Sequence, residues 1–182
     1  GPVHVQAVIE HVELGPHEDR LRRMLLERDR AGKPLRVALI GAGKFGSMYL
    51  AQAKHTPGIH LVAVADLAPD RAKASLARVG WPAERYAART IAEAGRGGTT
   101  CVTDDTAAAI ASPEVEIVID ATGSPAAGIR HALACCRHGK HVVMVNVEAD
   151  ALAGPLLARR AREAGIVYSL AYGDQPALIC EL

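Results

Sequence analysis

The chain has 182 residues, enough to bury the core of one domain or slightly more. Its 21 basic and 20 acidic residues leave a net charge of +1, so charge gives no reason to expect nucleic acid or a membrane surface as a partner. No apolar run approaches the ~20 residues of a spanning helix, and no basic-then-apolar leader opens the sequence, which leads us to expect a cytoplasmic protein.

Cysteine and histidine spacing argues against a metal site in this segment. The four cysteines show no C-x-x-C pair, and the eight histidines show no H-E-x-x-H pairing. We therefore expect reduced thiols, with one of Cys135 and Cys136 facing inward from a helix. A lone histidine such as His131 is expected on a helix surface and not as a ligand.

Residues 1–34 are predicted to be an extension that carries one helix. Residues 1–16 show little pattern. From about His17 to Arg30 the chain reads as helical, with an apolar stripe that includes Leu21, Met24 and Leu25. The stripe is too short for heptads, so we expect this helix to pack on the flank of the following domain.

The next segment, residues 37–48, is an apolar run that turns on three glycines into a helix. Gly41 would permit the tight strand-to-helix turn, and Gly43 would leave room for a pyrophosphate close to the backbone. Gly46 would let the helix lie close to the strand. The pattern predicts a dinucleotide site, with the diphosphate at the positive end of the helix.

A second strand over residues 59–65 ends at Asp66, 20 residues after Gly46. An acid at this distance is typical of the residue that binds the adenosine ribose. The alternative is a glycine-rich turn without a ligand, followed by an Asp that caps the next helix.

The middle of the chain alternates helices and strands. Helices are predicted over Pro69–Gly80 and Ala83–Ala94, followed by a loop over 95–98, a third strand over Thr99–Thr103 and a helix from the Asp104-Asp105 cap to Ala111. A fourth strand covers Val115–Asp120. Two helices between the second and third strands is one more than a βαβ unit requires.

After the fourth strand, Ala121, Thr122 and Gly123 fall where the nicotinamide end of a dinucleotide would lie, although they could instead be a helix-capping turn. The chain then continues with a helix that closes at 137–139 and a fifth strand over 141–145. These are followed by a helix from about Pro155 to Ala164 and a sixth strand over 166–170. Asn146 and Glu148 lie at the carboxyl edge of the fifth strand. A last helix opens near residue 173.

These elements predict an α/β fold, a doubly wound parallel Rossmann sheet of about six strands in the order 3-2-1-4-5-6, with an extra N-terminal helix. Residues 35–182 would be the NAD(P)-binding domain. The sequence stops as a helix leaves the sixth strand, so we expect a part of a longer enzyme whose substrate domain is absent from this chain.

Residues 36–182 resemble the nucleotide-binding half of the homoserine dehydrogenase-like family, and within it the 1-deoxy-D-xylulose 5-phosphate reductoisomerase-like branch. The resemblance is carried by 37–48, 64–67, 119–123, 144–150 (Met-Val-Asn-Val-Glu-Ala-Asp) and 168–178. Homoserine dehydrogenases carry Thr-Ala-Asn-Lys after strand five, and here Asn146 matches but Val147 replaces the lysine. The resemblance implies reduction and isomerisation of 1-deoxy-D-xylulose 5-phosphate in isoprenoid precursor synthesis, with NADPH and a divalent metal held in the missing domain.

The predicted cofactor contacts are Gly41, Gly43, Lys44, Phe45, Gly46, Asp66, Arg71, Ala121, Thr122, Gly123, Asn146 and Glu148, with no catalytic residue in this chain. Asp66 alone favours NAD, because a 2′-phosphate would face its charge. Arg71 could supply a counter-charge, or could be a solvated residue paired with Asp70 or with nothing. With the resemblance, we hypothesise that NADPH is accepted, with Asp66 turned away from the phosphate.

Three functions remain open. The first is the cofactor half of an NAD(P)-dependent oxidoreductase that acts on a phosphorylated small molecule and forms a homo-oligomer. A sugar-phosphate reductoisomerase is the leading specific activity, and a homoserine-type dehydrogenase is the runner-up. The second is a non-catalytic NAD(H) redox sensor, against which residues 1–34 argue with six basic and six acidic residues and no DNA-binding character. The third is an assembly scaffold, which the intact glycine loop does not support.

Overall fold

Seven helices and six strands alternate along residues 16–171, the part of the chain that this computed structural model describes. In chain order they are α1 (Pro16–Arg30), β1 (Leu35–Ile40), α2 (Lys44–Ala53), β2 (Ile59–Ala65), α3 (Pro69–Arg78), α4 (Ile91–Gly97), β3 (Cys101–Thr103), α5 (Thr106–Ala111), β4 (Ile117–Asp120), α6 (Pro125–His138), β5 (His141–Met144), α7 (Val147–Glu163) and β6 (Tyr168–Leu170). The low-pattern segment 1–15 and the helix predicted near residue 173 lie outside the described residues.

The six strands form one parallel sheet in the order β3-β2-β1-β4-β5-β6. This confirms the predicted doubly wound Rossmann sheet and its strand order. The connection reverses direction between β1 and β4, and in such sheets ligands bind beyond the carboxyl ends of the strands at that point. None of the described helices combines the length and the apolar composition needed to cross a membrane.

Helices cover both faces of the sheet, which explains why its central strands are continuous apolar runs. Residues 37–40 of β1 and 61–65 of β2 are buried throughout. On one face they pack against α2 and α3, and on the other against α5, α6 and α7. The predicted strand regions are right, although β3, β4 and β6 each begin two residues later than expected.

The region between α3 and β3 differs from the prediction. A helix was expected over Ala83–Ala94 with a loop after it, but the chain forms a 3-10 turn, Ala83–Tyr86, and then α4. Thr90 explains the late start, because its hydroxyl caps the Glu93 N–H while the Glu93 carboxylate accepts the Arg89 N–H. These two hydrogen bonds begin the helix after Thr90, and the helix then continues into the glycines that were expected to be a loop.

The helix before β6 also begins earlier than predicted. We expected it to start near Pro155, but α7 starts at Val147, and Asn146 is its N-cap. Its first turn carries Glu148 and Asp150, which suit the positive end of a helix. Pro155 lies inside α7, so reading a proline as a helix start was wrong here.

Helix α1 lies against the amino-terminal edge of the sheet. The Gly58 N–H, just before β2, donates to Asp29 Oδ1 at 3.2 Å, and Arg28 lies 3.6 Å from the Glu116 carboxylate before β4. Leu21 and Met24, two members of the predicted apolar stripe, stay half exposed. The contact with the domain is therefore made by the last turns of α1 rather than by the whole stripe.

Cys135 is the inward-facing member of the cysteine pair on α6. It is fully buried, whereas Cys136 is half-buried. Burial raises the pKa of the Cys135 thiol to about 12. A protonated thiol in this position behaves as a small apolar side chain in the core between α6 and the sheet.

Candidate functional site

The loop after β1 is held by a close approach to the end of β4. Gly41 has φ +93°, which L side chains rarely adopt, and a Cβ there would lie 2.9 Å from the Ala121 carbonyl oxygen. Its N–H donates to the Ala65 carbonyl at the end of β2 at 2.8 Å. Gly41 therefore brings the ends of β1, β2 and β4 together at the switch point of the sheet.

Gly46 and Gly43 have different surroundings. A Cβ on Gly46 would run into the Gly41 carbonyl oxygen, so this glycine lets α2 pack on the preceding loop. A Cβ on Gly43 would meet no atom within 4 Å, and its φ is −70°. Protein packing thus does not require glycine at position 43, whereas a ligand lying close to the backbone would.

Asp66 joins the glycine loop to the start of α3. Its side chain is nearly buried; Oδ2 accepts the Ala42 N–H at 2.8 Å, and Oδ1 accepts the Ala68 N–H and an Arg71 guanidinium N–H, each at 2.9 Å. Burial alone would raise the pKa of this carboxyl, but the two backbone N–H groups and Arg71 outweigh it and hold the pKa below its usual range. The ionised Asp66 carboxylate therefore stabilises the fold at pH values above the ordinary carboxyl pKa. This stabilisation is lost as the pH falls through the lowered pKa.

Arg71 is paired with Asp66, not with Asp70 or with nothing, while two thirds of its side chain stay exposed. The hypothesis that Asp66 turns away from a 2′-phosphate does not match this arrangement, because two backbone amides anchor its carboxylate. For Arg71 to bind a 2′-phosphate, its guanidinium must either contact Asp66 and the phosphate at the same time or break its hydrogen bond to Asp66.

A second buried carboxylate, Asp120, ends β4. Its Oδ1 accepts hydrogen bonds from the Thr122 N–H at 3.0 Å and the Thr122 hydroxyl at 2.7 Å, and its Oδ2 lies 2.6 Å from His131 Nδ1 on α6. His131 is only 16% exposed, so the prediction of a surface histidine is wrong. The sequence reasoning did not select Asp120, although an acid at the carboxyl end of a central strand is a signal that points to the site.

Asn146 links the loops after β4 and β5. It is buried; its Oδ1 accepts the Ala149 N–H, and its Nδ2 donates to Thr122 Oγ1 at 3.1 Å and to the Ser124 carbonyl at 2.8 Å. Its hydrogen-bonding groups are thus engaged within the protein. Asn146 supports the loop that carries Thr122 and does not line the cleft.

Gly128 makes this support possible, since a Cβ there would lie 2.7 Å from Asn146 Nδ2 and 2.8 Å from Ala149 Cβ. We expect Gly128→Ala to lower the free energy of unfolding by about 1–3 kcal/mol, because α6 and α7 would be forced apart. Urea denaturation measures this change in the free energy of unfolding. The matched control is Gly97→Ala at the exposed end of α4, where the nearest atom is 3.6 Å away and the change should be neutral or slightly stabilising. Equal stability of the two variants would contradict the close α6–α7 contact.

A cleft of about 480 Å³ opens at the carboxyl edge of the sheet between the glycine loop, Asp66 and the start of α6. Seven of the predicted contacts line it: Gly41, Gly43, Asp66, Arg71, Ala121, Thr122 and Gly123. The other five, Lys44, Phe45, Gly46, Asn146 and Glu148, do not. Arg130 and His131 line it without having been predicted.

A second cavity, about 570 Å³, lies near the amino-terminal edge of β2 and is lined by Lys54, His60 and Trp81 among others. None of the predicted contacts lines it. Ligands of doubly wound sheets bind at the opposite edge, so the cleft at the glycine loop is the candidate site. Within residues 16–171, no group of three or more His, Cys, Asp or Glu side chains could hold a metal ion.

The cleft fits a dinucleotide. Gly43 is the N-cap of α2 and provides no capping side chain, so the first amides of α2 can bind an anion such as a diphosphate. Space for that group is open beside the Gly43 Cα. Asp66 lies along the same cleft with an acceptor group for ribose hydroxyls.

Comparison with protein families gives one match: a family described as "Oxidoreductase family, NAD-binding Rossmann fold" (GFO/IDH/MocA) matches residues 35–145. No curated protein matches the chain.

Solved structures with a similar fold include a homoserine dehydrogenase from Thiobacillus denitrificans, with 22% identity and a TM-score of 0.60 over 76% of this chain and 29% of that one. GenD2 from gentamicin A biosynthesis, in complex with NAD, has 24% identity and a TM-score of 0.54 over 76% of this chain and 34% of that one. A biliverdin reductase from Synechocystis, in complex with biliverdin and NADP+, has 20% identity and a TM-score of 0.53 over 76% of this chain and 38% of that one. At these identities the likeness shows the fold alone, and the chain spans about a third of the length of such proteins.

Proposed function

Because the chain belongs to the GFO/IDH/MocA family of NAD-binding Rossmann-fold oxidoreductases, we propose that it is the cofactor-binding part of an NAD(P)-dependent oxidoreductase. The observation that carries the proposal is Gly43, whose Cα borders open space at the start of α2 although packing within the protein does not exclude a side chain there. A bound diphosphate supplies the missing reason for glycine.

Each segment of the cleft has a task in this proposal. The amides at the start of α2 hold the diphosphate, and Asp66 accepts hydrogen bonds from the adenosine ribose. Thr122, which Asp120 and Asn146 hold in place, borders the nicotinamide end together with Gly123. The cofactor, when bound, supplies hydride chemistry at its nicotinamide ring. The cleft residues bind and orient the cofactor. In this proposal the groups that position the substrate lie on another surface, separate from these cleft residues.

For the whole protein we propose a 1-deoxy-D-xylulose 5-phosphate reductoisomerase-like activity on a phosphorylated substrate, in a homo-oligomer. The support is the sequence resemblance at residues 144–150 and 168–178. A homoserine-type dehydrogenase is the second candidate, favoured by Asn146 and disfavoured by Val147, which stands at the first position of α7 where that family has a lysine. An NAD(H)-sensing module would bind the cofactor in the same cleft and catalyse nothing.

One assay separates these candidates. The full-length protein is tested with NADPH and NADH against a panel of phosphorylated ketoses and aspartate semialdehyde. Turnover of 1-deoxy-D-xylulose 5-phosphate supports the first activity, and turnover of the semialdehyde supports the second. Tight dinucleotide binding without turnover of any substrate in the panel favours the sensing module.

The 182-residue chain alone is expected to bind dinucleotide but to have no turnover. Hydride transfer needs the substrate about 3–3.5 Å from the nicotinamide, and the described residues supply no second surface to hold it there. Calorimetry measures the binding, and absorbance at the reduced nicotinamide band measures the turnover. Measurable reductase activity from this chain would contradict the expectation, whereas failure to bind any dinucleotide would overturn the proposed function itself.

A further inference from the structure

The pairing of His131 with Asp120 leaves one imidazole nitrogen at the candidate cleft. Asp120 is completely buried, and its Oδ2 lies 2.6 Å from His131 Nδ1. A carboxylate only accepts hydrogen bonds, so Nδ1 carries the hydrogen of this bond. Nε2 is then the other ring nitrogen, and among the described residues it has no hydrogen-bond partner.

Nε2 is not sealed inside the protein. The side chain of His131 is 16% exposed, and the residue forms part of the cleft wall together with Arg130 and Ala127 of the same helix. Asp120 therefore fixes the ring on its inner side, Nε2 is not fully buried, and the residue belongs to the cleft wall. A group held in this way is pre-oriented for a ligand, since the orienting hydrogen bond is made before binding.

A purely structural need does not account for the imidazole. Asp120 Oδ1 is already satisfied by two donors of Thr122, and Oδ2 requires only a single donor. Any short amide or hydroxyl side chain on α6 that reached Oδ2 would meet that requirement. Histidine adds a second polar atom, on a residue that lines the cleft.

The position of the wall indicates which half of a dinucleotide it faces. The same cleft is lined by Asp66 after β2 and by Thr106, the first residue of α5 after β3. Strands β2 and β3 lie on the side of β1 away from β4. In doubly wound folds the acid after the second strand binds the adenosine ribose. Helix α5, which begins at Thr106, packs against α6, so the cleft wall that these two helices share lies on the adenosine side.

We propose that His131, held by Asp120, contacts the bound dinucleotide through Nε2 on its adenosine diphosphate half. The contact rests on the proposed function, because it requires a dinucleotide in this cleft. The neutral ring accepts a hydrogen bond from a ribose hydroxyl or the adenine amino group, and the protonated ring donates to a phosphate oxygen. Both place the contact on the same half of the ligand.

His131→Asn tests the contact. The amide NH2 of asparagine lies close to where Nδ1 of histidine lies, so the variant can keep the bond to Asp120 while it loses Nε2. We expect the dissociation constants of ADP-ribose and of NADH to rise by the same factor, about three- to ten-fold, as for one lost hydrogen bond. The matched control is His138→Asn, an exposed histidine at the end of the same helix, which should bind as wild type does.

Two results overturn the inference: equal affinity of wild type and His131→Asn, or a loss confined to NADH with ADP-ribose unaffected. Wild type that binds neither ligand overturns the proposed function instead, so the two failures are distinguishable. If His131→Asn does not fold, the wild-type chain labelled with 15N-histidine provides the test. Adding ADP-ribose should then shift the Nε2 resonance of His131, and an unchanged resonance contradicts the contact.

Discussion

Gly43→Val is expected to weaken dinucleotide binding by at least about 30-fold, roughly 2 kcal/mol, without unfolding the domain. The valine side chain would fill the open space beside the start of α2, where the proposal places the diphosphate. The backbone at this position has φ −70°, outside the left-handed region that favours glycine, and no protein atom lies within 4 Å of the new Cβ. Isothermal calorimetry with NADH and NADPH measures the loss, and thermal unfolding checks the fold.

Two other glycine variants show whether the effect belongs to the cleft. Gly97→Val lies at the end of α4, outside the cleft, and should bind as wild type does. Gly46→Ala should instead unfold the domain, because its Cβ would collide with the Gly41 carbonyl. A folded Gly43→Val variant with wild-type affinity would mean that the diphosphate does not lie at this loop.

The strand order and the glycine loop could be predicted because both depend on local pattern and spacing. A buried parallel strand is an apolar run, and the steric demands of Gly41 and Gly46 follow from the turn that joins β1 to α2. Asp66 was found by its distance from the loop, since one helix and one strand fill that distance in a βαβ unit.

Helix starts were harder to predict where the sequence is uniformly helix-compatible. The stretch 83–98 is rich in alanine and in charged residues on either side of Thr90, so propensity alone does not say where the helix begins. The Thr90 cap, with Glu93 accepting the Arg89 N–H, sets the start of this helix. Likewise the Asn146 cap sets the start of α7, although Pro155 further along offered a more obvious sequence signal.

The polar network behind the cleft could not be predicted because it depends on packing between distant elements. Asp120 and His131 meet only because α6 crosses back over the end of β4, and sequence spacing does not show which face of α6 turns inward. Asn146 was predicted to contact the cofactor, yet its amide is engaged with Thr122 and Ser124. Its position at the carboxyl edge was read correctly, but the direction of its side chain was not predictable.

Cofactor preference is expected to depend on the Asp66–Arg71 pair, and from this pair we expect NAD to be preferred over the NADPH suggested by the resemblance. The Ala42 and Ala68 amides hold the Asp66 carboxylate in place, so a 2′-phosphate would approach a fixed negative charge. That repulsion is of order 1 to 4 kcal/mol. Asp66→Ala should therefore raise the affinity for NADPH relative to NADH by about ten-fold or more, since it also frees the Arg71 guanidinium to bind the phosphate.

A double-mutant cycle isolates the role of Arg71 in this shift. NADH and NADPH are titrated against wild type, Asp66→Ala, Arg71→Ala and the double variant, with thermal unfolding to confirm that each is folded. Because Arg71 is tied to Asp66 in wild type, Arg71→Ala alone should change the ratio of affinities little. In the Asp66→Ala background the same substitution should remove most of the gain for NADPH. Wild type that already prefers NADPH, and loses that preference in Arg71→Ala, would show that Arg71 leaves Asp66 on binding and acts as the phosphate contact.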